Sequence, residues 1–151
     1  MGAFGLTIPD ELQAAISKLA NVDELAPKML NRAAPILQAA IKAKTPKDTG
    51  TLAEALKIQK PKKSKNGSWS CSVVFEGKDE RSKESRGWPA KKRRAAVSNA
   101  LKAAVKEFGS SKRAPSPFIR PAAESVKSET AKAMQSVIAE EGVRRRASRA
   151  G

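Results

Sequence analysis

The residues best equipped to grip a partner fall in three basic clusters: Lys60, Lys62, Lys63 and Lys65; Lys91, Lys92, Arg93 and Arg94; and Arg144, Arg145, Arg146 and Arg149. Cations at that density attract phosphate or acidic protein surface. Were all three clusters to meet phosphate, the outcome would be sequence-indifferent DNA binding that weakens about 10³–10⁵-fold between low and moderate salt. The plainer alternatives are a solvated surface or pairing with acidic neighbouring subunits. The second cluster opens a helical pattern, where cations oppose the helix dipole, so an acidic neighbour or a phosphate suits it better than the other two. The two tryptophans, Trp69 and Trp88, lie too far apart and in too different contexts to form a stacking platform for single strands.

Reactive chemistry is sparse by comparison. The chain has no His, which removes the commonest general base and metal ligand. Ser–His and Cys–His nucleophile pairs go with it. Cys71 is the single cysteine, so no intramolecular disulfide can form, which fits a chain made in a reducing cytoplasm. One thiol and scattered carboxylates make a poor zinc site. Neither a P-loop nor a G-x-G-x-x-G occurs. The carboxylate clusters Asp79-Glu80-Glu84 and Glu140-Glu141 stand beside cations in polar segments and read as solvated charge, without the burial a catalytic carboxylate needs. The expectation is a protein without catalysis, cofactor or metal.

The elements that carry these groups follow from composition and spacing. At 151 residues the chain suits one domain. Its residues are 40% hydrophobic but only 4% aromatic, with no Tyr and a net charge of +15. Ala and short aliphatics must therefore do the packing, which favours closely packed helices and burial of leftover apolar surface against other subunits. The N-terminus lacks the basic start and apolar run of a secretory signal, Leu6 breaks the myristoylation pattern, and no run is long enough to span a bilayer.

Helical spacing predicts a short helix over Ile8–Leu19 with Asp10 as N-cap, and a longer one over Asp23–Lys44. Leu30, Ala33, Ala34, Leu37 and Ile41 share one face of the second, and Pro35 inside it predicts a kink or a break. Thr45–Gly50 is turn chemistry, and Thr51 with Glu54 has capping-box spacing that opens a helical turn over Leu52–Leu56. A strand is predicted around Lys57–Lys60. After the turn pair Asn66-Gly67, a second strand places Trp69, Cys71, Val73 and Phe75 on one face, with Cys71 as a small core residue. Charge and Ser make residues 77–90 a mobile loop. A helix is expected from Lys91 to Phe108 with Gly109 just past its end, and a last helix from Phe118 to Glu141 with Pro121 in its first turn. The fold class is α+β: long helices packed on a small antiparallel β-sheet, with a long C-terminal helix. Residues 1–142 form the domain, 1–22 its N-terminal helix, and 143–151 a mobile basic tail.

Two segments carry a family signal. Thr45-Pro46-Lys47-Asp48-Thr49-Gly50-Thr51-Leu52 resembles the P-x-D-T-G-x-L segment of a tailed-bacteriophage tail-component family. Glu107-Phe108-Gly109-Ser110-Ser111, continued by Pro115-Ser116-Pro117-Phe118-Ile119-Arg120-Pro121-Ala122, resembles the same family's E-F-G-T-S … P-x-P-F-h-R-P-A, where h is apolar. That family includes head–tail connector, neck and tail-completion proteins of long-tailed phages. D-T-G also marks aspartic proteases, but the second copy and β-rich chain they require are lacking. The stretch Lys91–Glu107 departs from the family by its length and its basic start.

The resemblance implies a structural virion protein that forms a homo-oligomeric ring, six-fold, at the head–tail junction and joins the tail to the DNA-filled capsid. It implies neighbouring connector or stopper and tail terminator or tail tube proteins as partners, with DNA in the channel as a further contact. Asp48, Thr49, Gly50 and Leu52 would build a turn. Glu107, Phe108, Gly109, Pro117, Phe118, Arg120 and Pro121 would either anchor the last helix or border the subunit interface, with Phe108 and Phe118 as its apolar anchors. Two rivals stand beside this reading. One is a non-sequence-specific basic DNA-binding protein, against which no helix presents a recognition face; the other is an RNA-binding or ribosome-associated factor.

Overall fold

The computed structural model describes residues 3–12, 22–46, 50–79 and 97–149. Its elements run β1 (Ala3–Thr7), α1 (Val22–Lys44), α2 (Thr51–Glu54), β2 (Leu56–Ile58), β3 (Lys62–Lys63), β4 (Trp69–Phe75), β5 (Lys78–Asp79), β6 (Val97–Ser98), α3 (Asn99–Phe108) and α4 (Ile119–Arg149). This is the mixed helix-and-strand fold that the sequence predicts, with a small antiparallel sheet and a long last helix.

β4 organises the sheet. Its Cys71, Val73 and Phe75 are buried while the residues between them are half-buried, which is the period-two pattern of a strand with one face on the core. β1 pairs antiparallel along one edge, from Ala3 opposite Val74 to Thr7 opposite Ser70. β2 and β3 share the other edge, with Ile58 opposite Val73 and Lys62 opposite Ser70. Asn66-Gly67 turns the β3–β4 hairpin, with Gly67 at φ 82°, where a side chain would be strained.

α1 packs against the sheet on one side and along α4 on the other. The two helices run antiparallel: Lys44 at the end of α1 donates to the Pro121 carbonyl at the start of α4 (2.8 Å), and Arg32 reaches Ser136 and Glu140 further along. Leu25, Met29, Leu30, Ala33, Ala34, Leu37 and Ile41 are buried in α1. Two adjoining apolar clusters result. One gathers Leu25, Met29, Leu30, Cys71, Met134 and Val137, and the other Leu37, Ile41, Leu52, Val73, Phe75, Phe118 and Ile119. Each large aliphatic removed from water contributes about 1.5–3 kcal/mol. That burial carries α1 unbroken through Pro27 and Pro35, although an interior proline costs about 3 kcal/mol in a free helix.

Five expectations are corrected. Lys78–Asp79, read as part of a mobile loop over 77–90, form β5 through pairing with β6, while residues 80–90 lie outside the described residues. β1 lies where no strand was foreseen, and helical backbone starts only at Asp10; Phe4, Leu6 and Ile8 alternate with Gly5 and Thr7 as a strand does, and β4 pairs along Ala3–Thr7. The remainder of the expected first helix, residues 13–19, lies outside the described residues. Val97, read as part of a helical stripe, is in β6, and α3 begins at Asn99. Ser98 ends the strand and caps the helix, in extended conformation with its hydroxyl accepting the Leu101 amide at 3.2 Å. Gly50 rather than Thr51 takes the cap position of α2, with no side-chain cap bond, so the capping box is not formed. Finally, α4 continues past Gly142 to Arg149, in place of a mobile tail. Glu141 supports that extension through Arg144 and Arg145, one turn on.

Candidate functional site

The second motif closes on itself around one carboxylate. Glu107, in the last turn of α3, is 3% exposed. Its Oε2 accepts the amides of Phe118 (2.8 Å) and Ile119 (2.9 Å), and its Oε1 accepts that of Arg120 (3.2 Å). These are the leading amides of α4, which no helical carbonyl can reach. The next residue, Pro121, has no amide to satisfy. One side chain and one proline thus dispose of every orphan donor at the start of α4, and the first helical bond runs from the Ala122 amide to the Phe118 carbonyl at 3.2 Å.

Burial raises the Glu107 pKa, but the amides of Ile119, Phe118 and Arg120, and then the charge of Arg120, outweigh it, so the carboxyl titrates below its ordinary range. The Arg120 guanidinium lies over the Phe108 ring, 5.0 Å from its centre, with Nε 3.8 Å from Glu107 Oε1. Phe118 is buried edge-on against Phe75, with ring centres 6.2 Å apart. Phe108 is not the core anchor foreseen for it: its side chain is 55% exposed and carries Arg120 on its face.

Gly109 makes the return from α3 possible. Its φ is 80°, and a Cβ there would stand 2.9 Å from both the Arg113 carbonyl oxygen and the Pro115 nitrogen. The Ser116 amide donates back to the Lys106 carbonyl at 2.8 Å. Pro117 is exposed and leads directly into the capped helix.

The first motif is met only in part, because Asp48 and Thr49 lie outside the described residues. Gly50 is left-handed at φ 74°, as a turn requires, and Leu52 is buried in the same cluster as Phe75 and Phe118. The two motif regions border one pocket of about 380 Å³, with Pro46 and Leu52 on one side and Val105, Lys106 and Arg113 on the other. Asp79 lies in that pocket too. Its polar surroundings in sequence predict solvated charge, yet it is 7% exposed and ion-paired with Lys102 of α3. Nothing local marks this pair, since the β5–β6 pairing brings the two together. Glu80 and Glu84 lie outside the described residues. Glu140 and Glu141 keep the cationic surroundings expected of them, in ion pairs with Arg32 and with Arg144 and Arg145.

The basic clusters divide. Lys62, Lys63 and Lys65 are exposed on β3 and its turn. Lys63 is tied to Asp23 at 2.6 Å, and Trp69 Nε1 donates to the same carboxylate at 3.1 Å. Hydrogen bonds from Lys63 first, then Trp69, hold Asp23 below its ordinary pKa. Arg144, Arg145 and Arg146 occupy the last turns of α4, where cations favour the dipole. Because α1 and α4 are antiparallel, Lys63 and these arginines face the same end of the helix pair. Lys91, Lys92, Arg93 and Arg94 lie outside the described residues.

Among the described residues no group of His, Cys, Asp and Glu could hold a metal ion, and no helix is long and apolar enough to cross a membrane. Cys71 is 1% exposed, its thiol 3.0 Å from the Gln59 carbonyl oxygen, and burial pushes its pKa up. It is the core residue the sequence predicts.

The chain matches no curated protein and no solved structure. The family described as "Bacteriophage HK97-gp10, putative tail-component" matches residues 10–109, about two thirds of the chain. The match takes in the whole first motif and the Glu107-Phe108-Gly109 that opens the second. By that match over more than half its length, the chain belongs to the HK97-gp10-like family of bacteriophage tail components.

Proposed function

We propose that this chain is a structural virion protein of a long-tailed phage that forms a closed ring at the head–tail junction, as a neck or tail-completion layer, and joins the tail to the filled capsid. The observation that carries the reading is the family match over residues 10–109. The geometry supports it, because the buried polar side chains serve architecture. Glu107 caps α4, Asp79 pairs with Lys102, and Thr45 bonds back to the Ile41 carbonyl at 2.7 Å. The role is positional rather than catalytic, and the chain acts as one domain that includes α4 to Arg149.

A six-fold ring would surround the DNA channel, contacting connector or stopper proteins above and tail terminator or tail tube proteins below. The exposed lysines of β3 and the arginines ending α4 would meet acidic neighbours, or DNA in passage. Free DNA binding as the chain's purpose gains nothing from the family match.

Deleting the gene from the phage tests this. Filled heads and separate tails should accumulate, and adding purified protein to such a lysate should restore infectivity. Gold-labelled antibody should mark the junction of intact particles. Normal joined particles without the chain, or its absence from virions, would refute the reading.

A further inference from the structure

The sheet has two open edges. β1 pairs with β4 only, and β2 and β3 pair with β4 only; among the described residues no strand lies outside either. Such edges present unpaired amides and carbonyls that can accept a further strand.

The two edges carry opposite charge. Beside β1 lies a groove of about 1050 Å³ floored by Leu37, Ile41, Ile119 and Met134 and bordered by Asp10, Glu11 and Glu124. Among the described residues Lys127 is the one cation on its lining. None of these three carboxylates forms an ion pair with a described residue, in a chain that carries +15 overall. On the opposite edge Lys57, Lys60, Lys62 and Lys65 are exposed and likewise without a carboxylate partner among the described residues.

We propose that the β1 edge and its acidic groove receive the Lys57–Lys65 edge of a second copy of this chain, so that the sheet continues from one subunit to the next. The proposal rests on the ring reading above and names its contact. Charge selects the pairing. β1 against β1 would set carboxylate against carboxylate, and β2–β3 against its own kind would set lysine against lysine. Only the unlike edges attract, and joining unlike patches is a heterologous contact, the kind that closes into rings. Lysine and proline on an edge ordinarily discourage pairing; here Pro61 and the lysines discourage the like edge, while the acidic border of β1 admits them. The aliphatic stems of the lysines can lie on the apolar floor while their ammonium groups reach the rim.

The experiment uses phage particles whose only copy of the gene is a variant. With Glu11→Cys and Lys60→Cys in one chain, a short bismaleimide should produce a ladder of cross-linked multimers of this protein, and either cysteine alone should not. Separately, Glu11→Lys with Glu124→Lys should lower assembly about 100-fold or more, since like charges would face each other. Adding Lys60→Glu and Lys62→Glu to that chain should restore it. All four residues are exposed, and an unchanged circular dichroism spectrum would show that each variant folds. If the reversed-charge chain still builds rings and infectious particles, the contact is wrong while the ring stands. Cross-linking of Glu11→Cys to a different virion protein would overturn the contact in the same way. Absence of the chain from particles would remove both.

Discussion

Replacing Glu107 by Ala removes the acceptor of three amides at once: those of Phe118, Ile119 and Arg120. Phe118 and Ile119 are 5% and 1% exposed, so water reaches their amides poorly once the carboxylate is gone. A buried donor left unpaired costs about 1–3 kcal/mol, and losing a helix cap alone costs about 0.5–2 kcal/mol. We expect a loss of about 3 kcal/mol, read as a lower urea midpoint at unchanged slope. At about 2–4 °C per kcal/mol for a chain of this size, Tm should fall about 6–12 °C. Glu107→Gln keeps the shape and one acceptor oxygen but turns an NH₂ toward donors, so its loss should fall between. The pH dependence is an independent check. The folded-state pKa is depressed, so the contribution is complete above the unfolded value of about 4.3 and is lost as pH falls through the folded one. The gap in stability between the wild type and Glu107→Ala should stay level above about pH 5 and narrow as pH falls below the unfolded value of about 4.3. A loss under about 1 kcal/mol would refute the cap as the origin of this motif.

The other expectations are narrower. Gly109→Ala should cost about 2–4 kcal/mol by chemical denaturation, because it meets both a strained φ and a clash with backbone. Ser98→Ala removes the cap of α3 and should cost about 1 kcal/mol in the same assay. Cys71 should resist a thiol reagent in the native protein and react fully in urea; fast native labelling would contradict its burial.

What could be read from the sequence was whatever is written locally. The alternation in Trp69–Phe75, the turn at Asn66-Gly67 and the stripe from Leu30 to Ile41 each sit within a few residues of their cause. β1 was overlooked although Phe4, Leu6 and Ile8 alternate with Gly5 and Thr7 as a strand does; the run is short, and what fixes it is a distant partner, with Leu6 opposite Cys71. The late start of α3 had the same origin, since Val97 fits a helical stripe until β5 pairs with it. The motif Glu107 … Phe118-Ile119-Arg120-Pro121 could be seen as a pattern but not as a mechanism. Its meaning is a hydrogen-bond geometry across a loop, and Phe108, the more conspicuous residue, proved the less buried.

The cap on α4 has a mechanical side. At about 1.5 Å per residue, the 31-residue helix is a beam about 46 Å long, fastened at its start by one buried anion and laid alongside α1. A load on its arginine-bearing tip would pass into α1 along the packed length and, at the far end, through Glu107 to the loop of Gly109. Whatever docks at that tip has a stiff connection to the opposite end of the molecule.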